Sequence, residues 1–216
     1  MAAAPNLPLS ESITWDITID DTYTPSRQGI VVSQGDQINF ENESGVDIII
    51  EFQPNVLNGQ NQTPVYPPMN LSVSNGGSNS FTAPNANCAA NYYIYNADVT
   101  PPAQLSGPFV IQVGTGTMYV TVAGTVTNPT YSPQTVAVPL GTSLPPGAGK
   151  LQMNPGPSSS FGITWLNNND PCTPPITQTD GTPHGVAQTS ALATYTYYVG
   201  PAPVENPAGG RVIVQS

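Results

Sequence analysis

The segment Ile13-Thr-Trp-Asp-Ile-Thr-Ile19 places an apolar residue at every second position. Successive side chains of a β-strand point to opposite faces of its sheet, so this alternation predicts a strand with one face against a core. The predicted core face consists of Ile13, Trp15, Ile17 and Ile19.

Short runs of the same kind follow along the first half of the chain, each bounded by turn residues. No window keeps the i, i+3, i+4, i+7 stripe of a helix, and the 20 Gly and 25 Pro interrupt every longer run. The chain is therefore predicted to be all-β. The further strand candidates are Gly29–Ser33, Gln37–Phe40, Asp47–Phe52, Leu71–Val73, Asn91–Tyr95 and Phe109–Val113.

A second series of strands begins at Met118 and repeats the order of landmarks. Thr22-Tyr-Thr-Pro25 returns as Thr130-Tyr-Ser-Pro133, and Ile30–Gly35 returns as Val136–Gly141. Internal repetition of this kind predicts a duplicated structural unit. Other matched pairs are Phe40–Asn42 with Trp165–Asn167, Tyr92–Tyr95 with Thr196–Val199, and Gly107–Val113 with Gly209–Gln215.

The repetition divides the chain into an N-terminal segment, residues 1–10, and two β-sandwich domains, residues 11–114 and 118–216. The junction Gly114-Thr-Gly-Thr117 is too short for a free tether, so we expect the two domains to touch.

Each repeat has the order Tyr-x-Pro, apolar strand, Gly, aromatic strand ending in Asn, long variable region, Tyr-rich strand, Gly, apolar strand. This order resembles that of the cupredoxins, which implies two Greek-key cupredoxin-like β-sandwiches in tandem. An immunoglobulin-like sandwich is the alternative fold, but the Cys…Trp…Cys spacing of antibody domains is missing.

Cupredoxins are best known as blue-copper carriers, whose type 1 site needs two His, a Cys thiolate and usually a weak Met ligand. The resemblance places the first His near Asp47 in one repeat and near Cys172 in the other, and the remaining ligands in the last loops. Those loops, Asn96–Ser106 and Gly200–Ala208, contain no Cys, His or Met, and His184 is the single histidine. The resemblance therefore carries no copper ligand to this chain and implies no electron transfer.

Charge and the length of the apolar runs each exclude one class of partner. Charged residues make up 7% of the chain, the net charge is −10, and the three cations are Arg27, Lys150 and Arg211. Binding to nucleic acid needs a cluster of cations that can neutralise phosphates, so it is excluded. No run approaches the 18 or so consecutive apolar residues of a membrane-spanning helix, so membrane insertion is excluded as well.

Cys88 and Cys172 match no CxxC spacing, which argues against a zinc or redox dithiol site. They are predicted to form a disulfide, with two buried thiols as the alternative. An even cysteine count in a Lys-poor, Asn- and Thr-rich chain favours an oxidising compartment. Met1–Pro5 has no signal-peptide pattern, but an initiator Met can stand where a signal peptide has been removed. We therefore expect a secreted, periplasmic or cell-surface location.

Carboxylates concentrate in the first quarter of the chain and could supply the hard oxygen ligands that Ca²⁺ prefers. No EF-hand motif is present, so a solvated acidic face is the alternative, and calcium is the one candidate cofactor. His184 lies in a turn-rich stretch and is expected to be exposed. The candidate calcium ligands are Asp20, Asp21, Glu41, Glu43 and Asp47.

Two Tyr-rich strands put alternate side chains on opposite sheet faces, so some of their rings should face outward and contact a protein or glycan. Packing in the core is the alternative for the inward rings. The candidate binding surface consists of Tyr92, Tyr93, Tyr95, Tyr195, Tyr197 and Tyr198.

No nucleophile elbow, Cys–His signature or phosphate-binding loop is present, so the chain is not expected to be an enzyme. The sequence favours a non-catalytic extracellular protein that has a structural role or binds a protein or glycan partner. The alternatives are a metal-handling protein that uses calcium or non-blue copper, a self-assembling filament or coat subunit, and a glycan-binding module. With so few ionisable groups, stability is expected to depend weakly on pH.

Overall fold

The computed structural model describes residues 12–54, 70–85, 88–114, 117–139, 150–155, 160–173, 175–181, 183–186, 193–200 and 209–215. Within this part of the chain there are seventeen β-strands and no α-helix, so the prediction of an all-β chain is confirmed. The strands are β1 Thr14–Ile19, β2 Gly29–Val32, β3 Gln37–Asn42, β4 Ile48–Pro54, β5 Leu71–Val73, β6 Ser78–Thr82, β7 Cys88–Asn96, β8 Ala103–Val113, β9 Thr117–Thr125, β10 Asn128–Ser132, β11 Thr135–Pro139, β12 Lys150–Pro155, β13 Ile163–Trp165, β14 Cys172–Thr173, β15 Pro183–Val186, β16 Thr194–Val199 and β17 Gly210–Gln215.

The first sandwich buries the alternating face of β1 that the sequence predicts. Trp15, Ile17 and Ile19 are fully buried, while Thr14 and Asp16 on the other face are exposed. β1 pairs in parallel with β3, and β6 pairs with β3 on its other side, which gives a three-stranded sheet in the order β1-β3-β6. This small sheet covers a core whose largest members are Trp15, Tyr92, Phe40 and eight isoleucines.

The second sandwich repeats the strand pairings of the first. In the first repeat, β1–β3 and β2–β8 are parallel, while β3–β6, β7–β8 and β4–β7 are antiparallel. In the second, β9–β12 and β11–β17 are parallel, while β12–β15, β16–β17 and β13–β16 are antiparallel. The chain therefore forms two β-sandwiches of mixed sheets in tandem, as predicted, and the second has its own core around Trp165, Tyr197 and Leu151.

One long sheet joins the two sandwiches. Its nine strands run in the order β13-β16-β17-β11-β2-β8-β7-β4-β5, and β11 of the second repeat pairs in parallel with β2 of the first. The expectation that the repeats touch is confirmed, and the contact is a shared backbone ladder. The proposed domain bounds themselves stay a prediction, and residues 1–10 lie outside the described residues.

Both faces of the long sheet are covered where the repeats meet. On β2, Ile30 and Val32 belong to the first core, whereas Val31 between them belongs to the second. On β11, Val136 and Val138 belong to the second core and Ala137 to the first. Because neighbouring residues of a strand face opposite sides, the two small sheets lie on opposite faces of the long one.

Gly29 marks the closest approach at this junction. A Cβ added there would lie 2.9 Å from Pro133 Cγ and 3.1 Å from Met118 Sδ, both from the second repeat. The glycine therefore lets the second repeat pack against β2.

Candidate functional site

The end of the first sandwich where the cupredoxin resemblance places copper is occupied by acids and amides. Asp47, near which the resemblance places the first His, donates its backbone N–H to Asp98 Oδ2 over 3.3 Å. Its own carboxylate accepts from Asn75 N at 2.8 Å, and its carbonyl accepts from Ala97 N at 2.9 Å. Asp47 and the start of the segment Asn96–Ser106 thus lie together, and the groups in contact are carboxylates, a carbonyl and backbone amides.

The corresponding end of the second sandwich centres on Asp170. Its carboxylate accepts from Cys172 N at 2.8 Å and from Ile176 N, and the Trp165 indole donates to Ile176 O at 2.9 Å. Burial raises the pKa of Asp170, although the hydrogen bonds from Cys172 and Ile176 oppose this effect. Burial and the nearby Asp170 charge raise the pKa of the Cys172 thiol.

His184 is buried on β15 and is not the exposed loop residue that the sequence predicts. It pairs with Leu151 of β12, whose side chain belongs to the second core. The flanking Pro and Gly residues indicate a loop in the sequence, but the pairing with β12 holds this segment as a strand.

The predicted Cys88–Cys172 disulfide does not form in this structure. Cys88 lies in the first core and Cys172 in the second, and both are buried. A disulfide requires Cα atoms within about 7 Å of each other, and these residues belong to two cores on opposite faces of the long sheet. The thiols are structural, which is the alternative that the sequence left open.

The five candidate calcium ligands do not come together as a metal site. No three His, Cys, Asp or Glu side chains of the described residues are grouped so that they could hold a metal ion. Asp20 instead caps its own turn, where Oδ1 accepts from Thr22 N and Thr24 N, each at 2.9 Å. Glu41 accepts from Thr18 Oγ1 at 3.2 Å, while Asp21, Glu43 and Asp47 are exposed separately.

Four of the six candidate surface tyrosines are buried, so the predicted surface is corrected. Tyr92 donates its hydroxyl to Arg27 O at 3.0 Å inside the first core, and Tyr197 packs over Gly210 inside the second. Tyr195 and Tyr198 are also buried, each about 4% exposed. Only Tyr93 and Tyr95 are half-exposed, on the outer face of the long sheet.

A cleft with polar and apolar walls lies between the two repeats and was not foreseen from the sequence. Its volume is about 440 Å³, and Arg211 is the one cation on its walls. The guanidinium of Arg211 is exposed and makes no ion pair with any described residue. The lining residues are Thr18, Asp20, Thr24, Pro25, Ser26 and Gln28 from the first repeat, and Gln134, Thr135 and Arg211 from the second.

Hydrogen bonds between the repeats fix the floor of this inter-repeat cleft. Gln28 N donates to Thr135 O at 3.0 Å, and Gln134 N donates to Gln28 Oε1 at 2.8 Å. Arg211 N donates to Gln134 O at 2.8 Å, which holds β17 beside β11. The cleft is therefore built by the backbone pairing that joins the sandwiches, and sequence patterns do not reveal such pairing between distant strands.

No protein-family model and no curated protein match this chain. Among solved structures, it is similar to a multicopper oxidase, with 13% identity over 94% of this chain and 88% of the other and a TM-score of 0.29. A blue copper oxidase from Nitrosomonas europaea gives 13% identity over 94% and 86%, with a TM-score of 0.33. A copper-containing nitrite reductase from Thermus scotoductus gives 11% over 94% and 62%, with a TM-score of 0.29, so the chain spans less than two thirds of that protein.

These likenesses carry no argument about activity, and the cupredoxin-like fold rests on the strand pairings given above. The chemistry of the donor set does not fit type 1 copper, since such a site needs two histidines and the chain has one. No helix in the described part of the chain is long and apolar enough to cross a membrane.

Proposed function

We propose that this protein is a non-catalytic extracellular unit of two copper-less cupredoxin-like sandwiches, which serves as a rigid structural or macromolecule-binding element. The observation that carries the proposal is the nine-stranded sheet that runs through both repeats. A backbone ladder between β2 and β11 resists bending far better than a flexible linker does, because bending would break buried hydrogen bonds.

The absence of catalysis and of type 1 copper is part of this proposal. It is supported by the acid and amide groups around Asp47 and by the Asp170 network at the matching position of the second repeat. A secreted, periplasmic or cell-surface location is proposed from the Lys-poor composition alone, because the cysteines do not form the expected disulfide.

Copper loading tests the proposal. The purified protein should remain colourless after incubation with Cu²⁺ and removal of the excess on a desalting column, and mass spectrometry should find no copper retained. Bound copper with an intense blue colour, or oxidase turnover of a phenolic substrate, would contradict it.

Of the alternatives, glycan binding gains support from the inter-repeat cleft, because hydroxyl, amide and carboxylate groups line it together. The calcium alternative gains no support, since no group of three or more His, Cys, Asp or Glu side chains among the described residues could hold a metal ion.

A further inference from the structure

The inter-repeat cleft matches small-molecule sites in its location and its volume. Such sites occur preferentially at domain interfaces and usually have volumes of about 300–1,000 Å³, a range that includes this one. Its floor is held by hydrogen bonds between the repeats, so little ordering would be needed when a ligand binds.

The walls of the cleft carry one cation and several unused hydrogen-bonding groups. No hydrogen bond among the described residues uses the guanidinium of Arg211 or the amide nitrogen of Gln28, whose oxygen accepts from Gln134 N. Asp20 binds its own turn through Oδ1 alone, so Oδ2 remains an acceptor. A planar guanidinium pairs best with a carboxylate or phosphate, which it can bind through two parallel hydrogen bonds.

Charge decides between the ligand classes. Asp20 lies in the same cleft as Arg211, and the whole chain carries −10, so a phosphate dianion is disfavoured. A ligand with one carboxylate can pair with Arg211. Several hydroxyl or amide donors on the same ligand can then donate to Asp20 and its neighbours on the other wall. Thr18, Thr24 and Ser26 also line the Asp20 side, and the Thr24 and Ser26 hydroxyls, which accept from Thr22 Oγ1 and Thr18 N, keep their own O–H for donation.

We propose that the inter-repeat cleft binds an acidic sugar unit, a uronic or sialic acid, with its carboxylate on Arg211 and its hydroxyl or amide donors toward Asp20. This inference rests on the binding role proposed above and names the ligand class for it. Because both repeats supply the walls, the site requires the tandem arrangement and does not exist in either sandwich alone.

Titration of the full chain by NMR tests the site, with glucuronic acid and N-acetylneuraminic acid as probes. Glucose serves as the neutral control and acetate as the carboxylate-only control. A saturable shift of the Gln28, Thr135 and Arg211 amide signals is expected with at least one sugar acid, with affinity about tenfold or more above that for glucose and acetate.

The variant Arg211→Gln should weaken sugar-acid binding by about tenfold, because it removes the charge-assisted pair and leaves the β17 backbone bonds in place. Lys150→Gln, a loss of the same charge on β12 of the second small sheet, should leave the affinity unchanged.

Three results would overturn the proposal: no saturable shift with either sugar acid, acetate binding as tightly as the sugar acids, or an Arg211→Gln variant that binds like the parent. The comparison of ligands needs no variant, so it decides the question even if a variant does not fold. A negative result here would leave the copper-loading result and the continuity of the long sheet untouched, so the two proposals fail separately.

Discussion

At the scale of single residues, the buried carboxylate of Asp36 ties a turn to a strand. Asp36 is 2% exposed and accepts three hydrogen bonds, from Ile13 N at 3.1 Å, Trp15 Nε1 at 2.8 Å and Ser33 N at 2.8 Å. It thereby fixes the start of β1 to the turn that precedes β3.

The variant Asp36→Ala should lower the free energy of unfolding by about 3 kcal/mol, because it leaves buried donors without an acceptor. Urea unfolding followed by tryptophan fluorescence would measure this loss. Asp21→Ala, at an exposed position, is the control and should change stability by no more than about 0.5 kcal/mol. Equal effects of the two variants would refute the role of Asp36.

Asp170 gives a prediction about pH. Burial raises its folded-state pKa above the ordinary value of 3.8, so the folded protein binds the proton more tightly than the unfolded chain does. Stability contributed by the protonated form is therefore lost as pH rises from the ordinary pKa through the raised one. Between pH 3.5 and pH 7, the parent should lose stability relative to Asp170→Asn, as measured by urea unfolding at each pH; a constant difference would show that Asp170 does not titrate in this way.

The pKa of Asp20 shifts in the opposite direction. Burial tends to raise its pKa, but the hydrogen bonds from Thr22 and Thr24 outweigh that effect and lower it. Its contribution to stability is lost as pH falls below the ordinary value. Asp20 acts below the ordinary pKa and Asp170 above it, so the two effects do not cancel. The weak pH dependence expected from the sequence stays a prediction for the whole chain.

At the scale of elements, the sequence predicts the core face of a strand best where the other face is exposed to solvent. β1 was predicted with its correct core face because Thr14, Asp16 and Thr18 alternate with apolar residues. β2 and β11 are covered on both faces, and their apolar runs contain no alternation that could indicate the pairing between them. The inter-repeat cleft could not be predicted for the same reason, since it exists only through that pairing.

The tyrosine strands show how a shift of one residue changes the interpretation. The sequence matched Tyr92 with Thr196, but burial matches it with Tyr197, because both tyrosines face their cores. A shift of one residue exchanges the two faces of a strand, so the matching of the repeats by sequence could not assign the tyrosines to faces. Adjacent Tyr197 and Tyr198 are both buried, so the sequence does not indicate which face of β16 is exposed to solvent.

The junction of the elements can be tested at Gly29. Gly29→Ala should destabilise the protein by about 2 kcal/mol, because its methyl group would press on the Pro133 ring. Gly162→Ala is the matched control, since a Cβ there meets nothing within 4 Å, and it should be neutral to within about 0.5 kcal/mol. Thermal or urea unfolding of both variants provides the comparison; a neutral Gly29→Ala would mean that the repeats do not pack as closely as described.

At the scale of the whole molecule, the central claim is that the two sandwiches behave as one body, because a single sheet passes through both. The most direct measurement is a set of backbone residual dipolar couplings from the full chain in a dilute alignment medium. The account predicts that the couplings of both repeats fit one alignment tensor, with the relative orientation that the β2–β11 pairing imposes. Two tensors of different magnitude or orientation would show that the repeats move independently and would contradict the account.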